Sequence, residues 1–310
     1  MKHNTFLVVN PRSGRAKIKN DLLDIISVLS KNDHEVTVYP TKFGGDATNA
    51  VATLSSEYDT IVCCGGDGTL NEVISGIMQN KNNYVLGYIP AGTLNEWSSG
   101  LKISKKAITA AEDIAKRNVI PLDVGAFDDR YFTYTASFGA FTEASYGAPQ
   151  DIKNILGQAA YLIEGIKAVG NIKPIHLKFV CDDEVIEDDF LFGSISNSMS
   201  VGGVVHFDKK TVELNDGLFE VMLIRNPATI ADLNDIIDGI LKKDLNRKNI
   251  DFLHARKVEI FGANGVSFTL DGEFKEGTDY IKAQNLHSAV NFIVPEQTAR
   301  IHNKEYKKGE

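Results

Sequence analysis

What this chain has little of narrows its class before any motif is read. Cysteine occurs three times in 310 residues, as Cys63, Cys64 and Cys181. The adjacent pair lies in an apolar run where it is geometrically unsuited to a disulfide. All three read as small core hydrophobes of a protein kept in a reducing compartment. No run of the roughly 18 apolar residues that a membrane-crossing helix needs is present. The opening "MKHNTFLVVNPRSG" meets an Asn-Pro break after about five apolar residues, too short for a signal segment. The expectation is a cytosolic protein that meets any membrane from outside. A basic surplus is also missing: 41 acidic against 33 basic side chains give a net charge of −8. Binding to nucleic acid is largely electrostatic, so that balance argues against a nucleic-acid partner. The seven histidines show no HExxH or paired spacing, and no zinc site is expected.

What is present is an ordinary globular composition, 43% hydrophobic and 24% charged with 26 glycines. At this length two domains are expected. The first 120 or so residues alternate apolar runs with amphipathic stretches: "TFLVVN", then 17–30, "EVTVYP", 44–54, "TIVCCG", 69–79, "YVLGYIP" and 104–117. That alternation predicts an α/β domain with a parallel sheet and helices on both faces. After "NVIPLDVG" the texture changes to paired short strands, predicting an antiparallel, sandwich-like second domain. Helices over 152–169 and 230–242 interrupt it. A last strand, "AVNFIVP", returns to the first domain, and the tail "HNKEYKKGE" is read as frayed.

Two stretches share five consecutive letters, "GGDGTLNEV" at Gly65 to Val73 and "PAGTLNEW" at Pro90 to Trp97. In the first, a buried strand runs through a glycine-rich loop into a helix expected to start near Thr69 or Leu70. Such junctions lie at the carboxyl edge of an α/β sheet, where ligands bind. Glycine lets the backbone approach a phosphate, and a helix N-terminus offers unpaired amides with partial positive charge. Asp67 within that loop makes chemical sense if a cation such as Mg²⁺ lies between it and the phosphates. The second copy again follows a buried strand. Thr69 and Thr93 both suit an N-cap or a phosphate contact, with Glu72 as the capping-box partner of Thr69. A third loop, "VVNPRSGRAK", ends the first strand with Asn10, Pro11, Arg12, Ser13 and Gly14. Neither GxxxxGK[ST] nor GxGxxG is present. Each loop alone could be turn chemistry; three at one sheet edge point to a nucleotide.

"NPRSG", "GGDGTLNEV" and "PAGTLNEW", in this order and spacing, resemble the catalytic domain of the diacylglycerol kinase family, above all its soluble bacterial lipid kinases, with sphingosine kinases as relatives. The likeness continues through "LDVG" at Leu122, "SFGAFTEAS" at Ser137, "NDGLFEVMLI" at Asn215 and "TLDGE" at Thr269. It covers most of the chain, although GGDGT alone also occurs in NAD kinases and phosphofructokinases. The resemblance implies an NAD-kinase-like ATP-binding domain, 1–122 with 288–310, and a β-sandwich lipid-substrate domain, 123–287, with ATP in the cleft between them. On matching positions, Asn10, Pro11, Arg12, Ser13, Gly14, Thr41, Gly66, Asp67, Gly68, Thr69, Leu70, Asn71, Glu72 and Thr93 would contact ATP. Asp67 and Asp123 would belong to the catalytic Mg²⁺ network. Glu273 would be the general base, with Asp271 near metal or phosphate. A structural Mg²⁺ would use Glu213, Asp216 and the Leu218 carbonyl.

The segment "FTLDGEF" also has a reading of its own. Carboxylates at i and i+2 around a glycine lie on one side of a strand or at the tip of a bend, where they could share a metal or divide base and metal duties. One departure stands out: the family usually has Asn-Asp where this chain has Asn95 and Glu96. The expected activity is ATP- and Mg²⁺-dependent phosphorylation of diacylglycerol or a related membrane lipid. Alternatives are a kinase for a sphingoid base or polar metabolite, an NAD-kinase-like role, or a non-catalytic nucleotide-binding regulator. The basic run "LKKDLNRKN" is read as a charged helix end, with a membrane-surface role as its alternative. Trp97 is read as packing. Dimerising family members leave a homodimer open.

Overall fold

The computed structural model describes residues 2–16, 18–80, 82–93, 95–139, 173–197, 200–201, 205–206 and 215–309. The helix expected over 152–169 lies outside them. The chain divides into two compact units, Met1–Leu122 with Ser288–Glu310, and Asp123–His287.

Unit 1 runs β1 (His3–Val9), a 3-10 turn (Ser13–Ala16), α1 (Ile18–Lys31), β2 (His34–Pro40), α2 (Asp46–Ala52), β3 (Thr60–Gly65), α3 (Asp67–Gln79), β4 (Val85–Pro90), α4 (Glu96–Gly100) and α5 (Ala107–Lys116). β1 pairs in parallel with β2 and β3, and β3 with β4. Every residue of β3 is buried, as a strand covered on both faces must be. The cover comes from α1 packed beside α5 and α2 beside α3. Cys63 and Cys64 are free thiols of that strand; burial pushes Cys64 up to about 12.

β5 (Val119–Phe127) carries the chain into unit 2. There follow β6 (Arg130–Phe132), β7 (Thr135–Gly139), β8 (Ile175–Cys181), β9 (Glu184–Ser196), the short β10 (Ser200–Val201) and β11 (Val205–His206), β12 (Phe219–Arg225), α6 (Ile230–Lys242), β13 (Ile250–Ala255), β14 (Lys257–Phe261), β15 (Ser267–Leu270) and β16 (Glu273–Glu276). Pairing within the unit is antiparallel. The first half of β9 pairs with β8, and its second half lies between β7 and β12. One aromatic-rich core, with Phe132 stacked on Phe219 and Phe138 beside Phe179 and Phe268, holds these strands together.

β17 (Tyr280–Ile293) begins in unit 2, and its end pairs in parallel with β4 through Asn291 and Phe292. The tail read as frayed is instead helical, α7 (Glu296–Gly309). Its start is anchored: Thr298 donates to the Leu101 carbonyl and Ala299 is buried. Trp97 stacks on Phe292 at 5.4 Å, a packing role. Among the described residues no helix is long and apolar enough to cross a membrane.

Candidate active site

In unit 1 the three loops meet. Parallel pairing puts the ends of β1, β2, β3 and β4 at one sheet edge, so Asn10–Gly14, Thr41, Gly66–Glu72 and Thr93 are gathered there. Cross-links fix the loops to one another. Asn10 donates through Nδ2 to Thr69 Oγ1 at 2.9 Å, and the Gly66 amide donates to Ser13 Oγ at 3.2 Å. Glycine is needed at the contacts: a Cβ on Gly92 would stand 2.6 Å from Gly66 Cα, and one on Gly14, with φ +54, 2.1 Å from the Ala91 carbonyl oxygen.

The two GTLNE copies take different conformations. In the first, α3 begins at Asp67 rather than at Thr69, with Gly66 as N-cap and no side-chain cap bond. Thr69 is therefore inside the helix, bound to Asn10, and Glu72 is not its capping partner. Glu72 instead accepts from the amides of Gly45 and Ala47 at 2.8 and 3.2 Å, holding the N-terminus of α2 against α3. A carboxylate at that end is favoured by the helix dipole. Leu70 is fully buried, leaving only its main chain for a ligand. In the second copy Asn95 takes the left-handed conformation, φ 51, and α4 starts at Glu96, so Thr93 is not the N-cap either. The Asn95 side chain accepts from the Gly92 amide and Tyr88 hydroxyl and donates to the Gly92 carbonyl. Burial and the nearby Asp67 charge push the Tyr88 hydroxyl far above its usual range, so it stays a donor.

In unit 2, Asp271 and Gly272 form the two-residue turn of the β15–β16 hairpin, both with positive φ, the pairing a type I′ turn requires. The Asp271 carboxylate accepts from the amides of Thr133, Tyr134 and Thr135 and from the Thr133 hydroxyl, at 2.7 to 3.0 Å. It ties the hairpin tip to the start of β7. Glu273, the first residue of β16, is two-thirds exposed, with Arg130 Nη2 3.4 Å from its carboxylate. Asp123 is fully buried; it accepts from the Gly217 amide at 2.7 Å and lies 3.1 Å from His287 Nδ1. Asp216 accepts from the Leu218 amide, and the Leu218 carbonyl accepts from Asn285. Glu213 lies outside the described residues.

The diacylglycerol kinase catalytic domain matches residues 4–127, and the YegS C-terminal NAD kinase beta sandwich-like domain matches 137–291. The chain is 30% identical over 298 residues to a diacylglycerol kinase of Bacillus subtilis, covering 94% of this chain and 97% of that one. Another of Staphylococcus saprophyticus is 30% identical over 278 residues, with 88% and 90% covered. The chain belongs to the diacylglycerol kinase family. A candidate diacylglycerol kinase of Bacillus anthracis superposes with a TM-score of 0.80 at 25% identity over 96% of both chains. An Archaeoglobus fulgidus NAD kinase in complex with ATP shares the fold, with a TM-score of 0.51 at 13% identity over 98% of both. The two-part α/β and antiparallel architecture is thus that of the family.

Two residues of this family member are not flagged by its motifs. Asn197 donates from its amide to the Tyr134 carbonyl and from Nδ2 to the Asp123 carbonyl, joining the Asp271-bound segment to Asp123. His287 completes the Asp123 cluster. Neither sits in a spacing pattern, and only folding brings them to Asp123. Among the described residues no group of three or more His, Cys, Asp or Glu is placed to hold a metal. Mg²⁺ asks for less: one or two carboxylates, with phosphate and water oxygens completing its shell. Asp67, at the first turn of α3 among the phosphate-type loops, fits that donor set, and the Asp123 carboxylate accepts from the Gly217 amide and lies beside His287. In the run "LKKDLNRKN" at the end of α6, Lys242 pairs with Asp238 and Arg247 with Asp235, Asp238 and Asp244.

Proposed function

We propose that the chain transfers the γ-phosphoryl group of ATP to the free hydroxyl of diacylglycerol or a related membrane lipid. The observation that carries this is the convergence of the Asn10–Gly14, Gly66–Asp67 and Gly92–Thr93 loops on one sheet edge, glycine against glycine, at the start of α3. Amides at a helix start and small polar side chains suit the phosphates. Asp67 would hold Mg²⁺, which when bound neutralises charge on the phosphates.

Glu273 takes the proton from the lipid hydroxyl. The hydroxyl oxygen forms a bond to the γ-phosphorus as the bond to the bridging oxygen breaks, and ADP leaves with the electron pair. Arg130 orients the Glu273 carboxylate, and Asp271 positions the turn that precedes it, not the metal. Its four hydrogen bonds to 133–135 support this assignment. The protein meets its substrate transiently at the membrane surface.

The test is transfer of labelled γ-phosphate, with Mg²⁺, into a bacterial lipid extract supplemented with diacylglycerol. Label in phosphatidic acid is expected. Label in another lipid would change the acceptor, and ATP binding without lipid label would shift the assignment to a soluble acceptor or a regulator.

A further inference from the structure

Beyond Thr41, the loop after β2 contributes no motif residue to the sheet edge where the phosphate-type loops meet. It reads Thr41, Lys42, Phe43, Gly44, Gly45, and the fold pins it on both sides. The Thr41 amide donates to the carbonyl of Val9, the last residue of β1, at 2.9 Å. The Gly45 amide donates to Glu72 on α3 at 2.8 Å. Between these anchors the Asp46 carboxylate accepts from the Lys42 amide at 2.8 Å, and the Asp46 amide donates to the Phe43 carbonyl at 3.4 Å. On this fixed turn Phe43 is 62% exposed, the most exposed aromatic side chain among the described residues. Single exposed apolar residues are ordinary, so the exposure alone assigns nothing.

Two glycines supply a second observation. Gly44 has no positive φ, and a Cβ built on it would meet nothing within 4 Å. The same holds for Gly68 in the first turn of α3, although glycine weakens a helix relative to alanine. Gly14, Gly66 and Gly92 have backbone packed against them; Gly44 and Gly68 face open space, and a ligand passing close to the backbone accounts for both. Register relates the two positions. Val9 pairs with Pro40 on one side and lies between β2 and β3 opposite Cys64 on the other. The loops after β2 and β3 therefore start level with each other, two strand spacings or about 10 Å apart, a span that a ribose and its base bridge from phosphates at the start of α3. On the far side of β3 the loop after β4 is closed, with Gly92 against Gly66 and bonded to the Asn95 side chain.

We propose, resting on the ATP-dependent reading above, that Phe43 is the platform for the base of the bound nucleotide: its ring stacks on the adenine, and the nucleoside passes over the bare backbone of Gly44 with the phosphates at Gly68. Stacking tolerates any base with a π-face, so Phe43 contributes affinity and leaves discrimination between adenine and guanine to other groups. The same exposed ring would serve a membrane contact only at the expense of this role, and the two uses are separable by measurement.

The experiment is calorimetric titration of the full chain in Mg²⁺, using ATP and inorganic tripolyphosphate, which keeps three phosphates and lacks the nucleoside. Wild type is compared with Phe43→Ala and Phe43→Trp. Phe43→Ala is expected to weaken ATP binding about tenfold, the loss that removing one base–aromatic stack gives, with tripolyphosphate affinity and Tm unchanged. Phe43→Trp is expected to restore ATP affinity, and its added fluorescence to be quenched by ATP and not by tripolyphosphate. Unchanged ATP affinity in Phe43→Ala overturns the proposal; if binding to anionic phospholipid vesicles falls instead, Phe43 is a membrane contact. Equal weakening of ATP and tripolyphosphate also overturns it, because the loop then acts on the phosphates. Wild type that binds ATP but phosphorylates no lipid overturns the lipid-kinase reading alone, and wild type that binds no ATP overturns both.

Discussion

Asp271 and Glu273 sit two positions apart, yet their surroundings divide them completely. The Asp271 carboxylate meets three amides and a hydroxyl, whereas Glu273 reaches into solvent with Arg130 beside it. Asp271→Asn turns an amide group toward donors that need acceptors. It should cost roughly 2–3 kcal/mol, the range for losing hydrogen bonds to a charged group, visible as a lower denaturant midpoint. Glu273→Gln should leave that midpoint and ATP affinity in place and abolish turnover in single-turnover phosphate transfer. Retained turnover would remove Glu273 as the base, and an unchanged midpoint in Asp271→Asn would return Asp271 to a role at the phosphates.

At the scale of elements, the pentapeptide GTLNE teaches the most. Its first copy is a helical turn preceded by Gly66; its second is a loop folded around left-handed Asn95, with Glu96 opening a short helix. The letters are identical, so the difference comes from flanking residues and from what each copy packs against. The capping-box reading of Thr69 and Glu72 failed because a better use for the Glu72 carboxylate, the amides of α2, lies 27 positions away. The glycine contact between the copies is testable. Gly92→Ala places a methyl against Gly66 Cα and Asn95 Oδ1, and should destabilise unit 1 by about 1–3 kcal/mol as overpacking does. Titration calorimetry should show ATP affinity reduced by about tenfold or more, since the two loops are pushed apart.

For the whole molecule, acid is the informative stress. His34 is buried, its Nδ1 2.7 Å from Thr5 Oγ1 and its ring 5.2 Å from that of His3. Burial first, then the charges of His3 and Arg117, pull it from 6.5 down to about 4, against the opposing pull of Asp59 and Asp33. The folded value lies below the unfolded one, so between these two pH values the unfolded chain binds more protons. Stability is complete above about pH 6.5 and falls as pH drops toward 4, by at most about 3 kcal/mol from this residue. Chemical denaturation at pH 7.5 and 5 should show that loss in wild type and a smaller one in His34→Gln; equal slopes would assign the acid sensitivity elsewhere.

The order of strands and helices in unit 1, the antiparallel character of unit 2 and the positions of the phosphate-type loops were all legible in the chain, because they depend on local hydrophobic period and on glycine, whose backbone freedom acts where it stands. The fate of each carboxylate was not. Glu72 and Asp271 turned to distant amides, Asn197 and His287 reached Asp123 from far along the chain, and the tail became a helix once Thr298 and Ala299 had something to dock on. Those outcomes depend on which buried donors and acceptors lack partners after the strands pair, and that demand exists only in the folded protein.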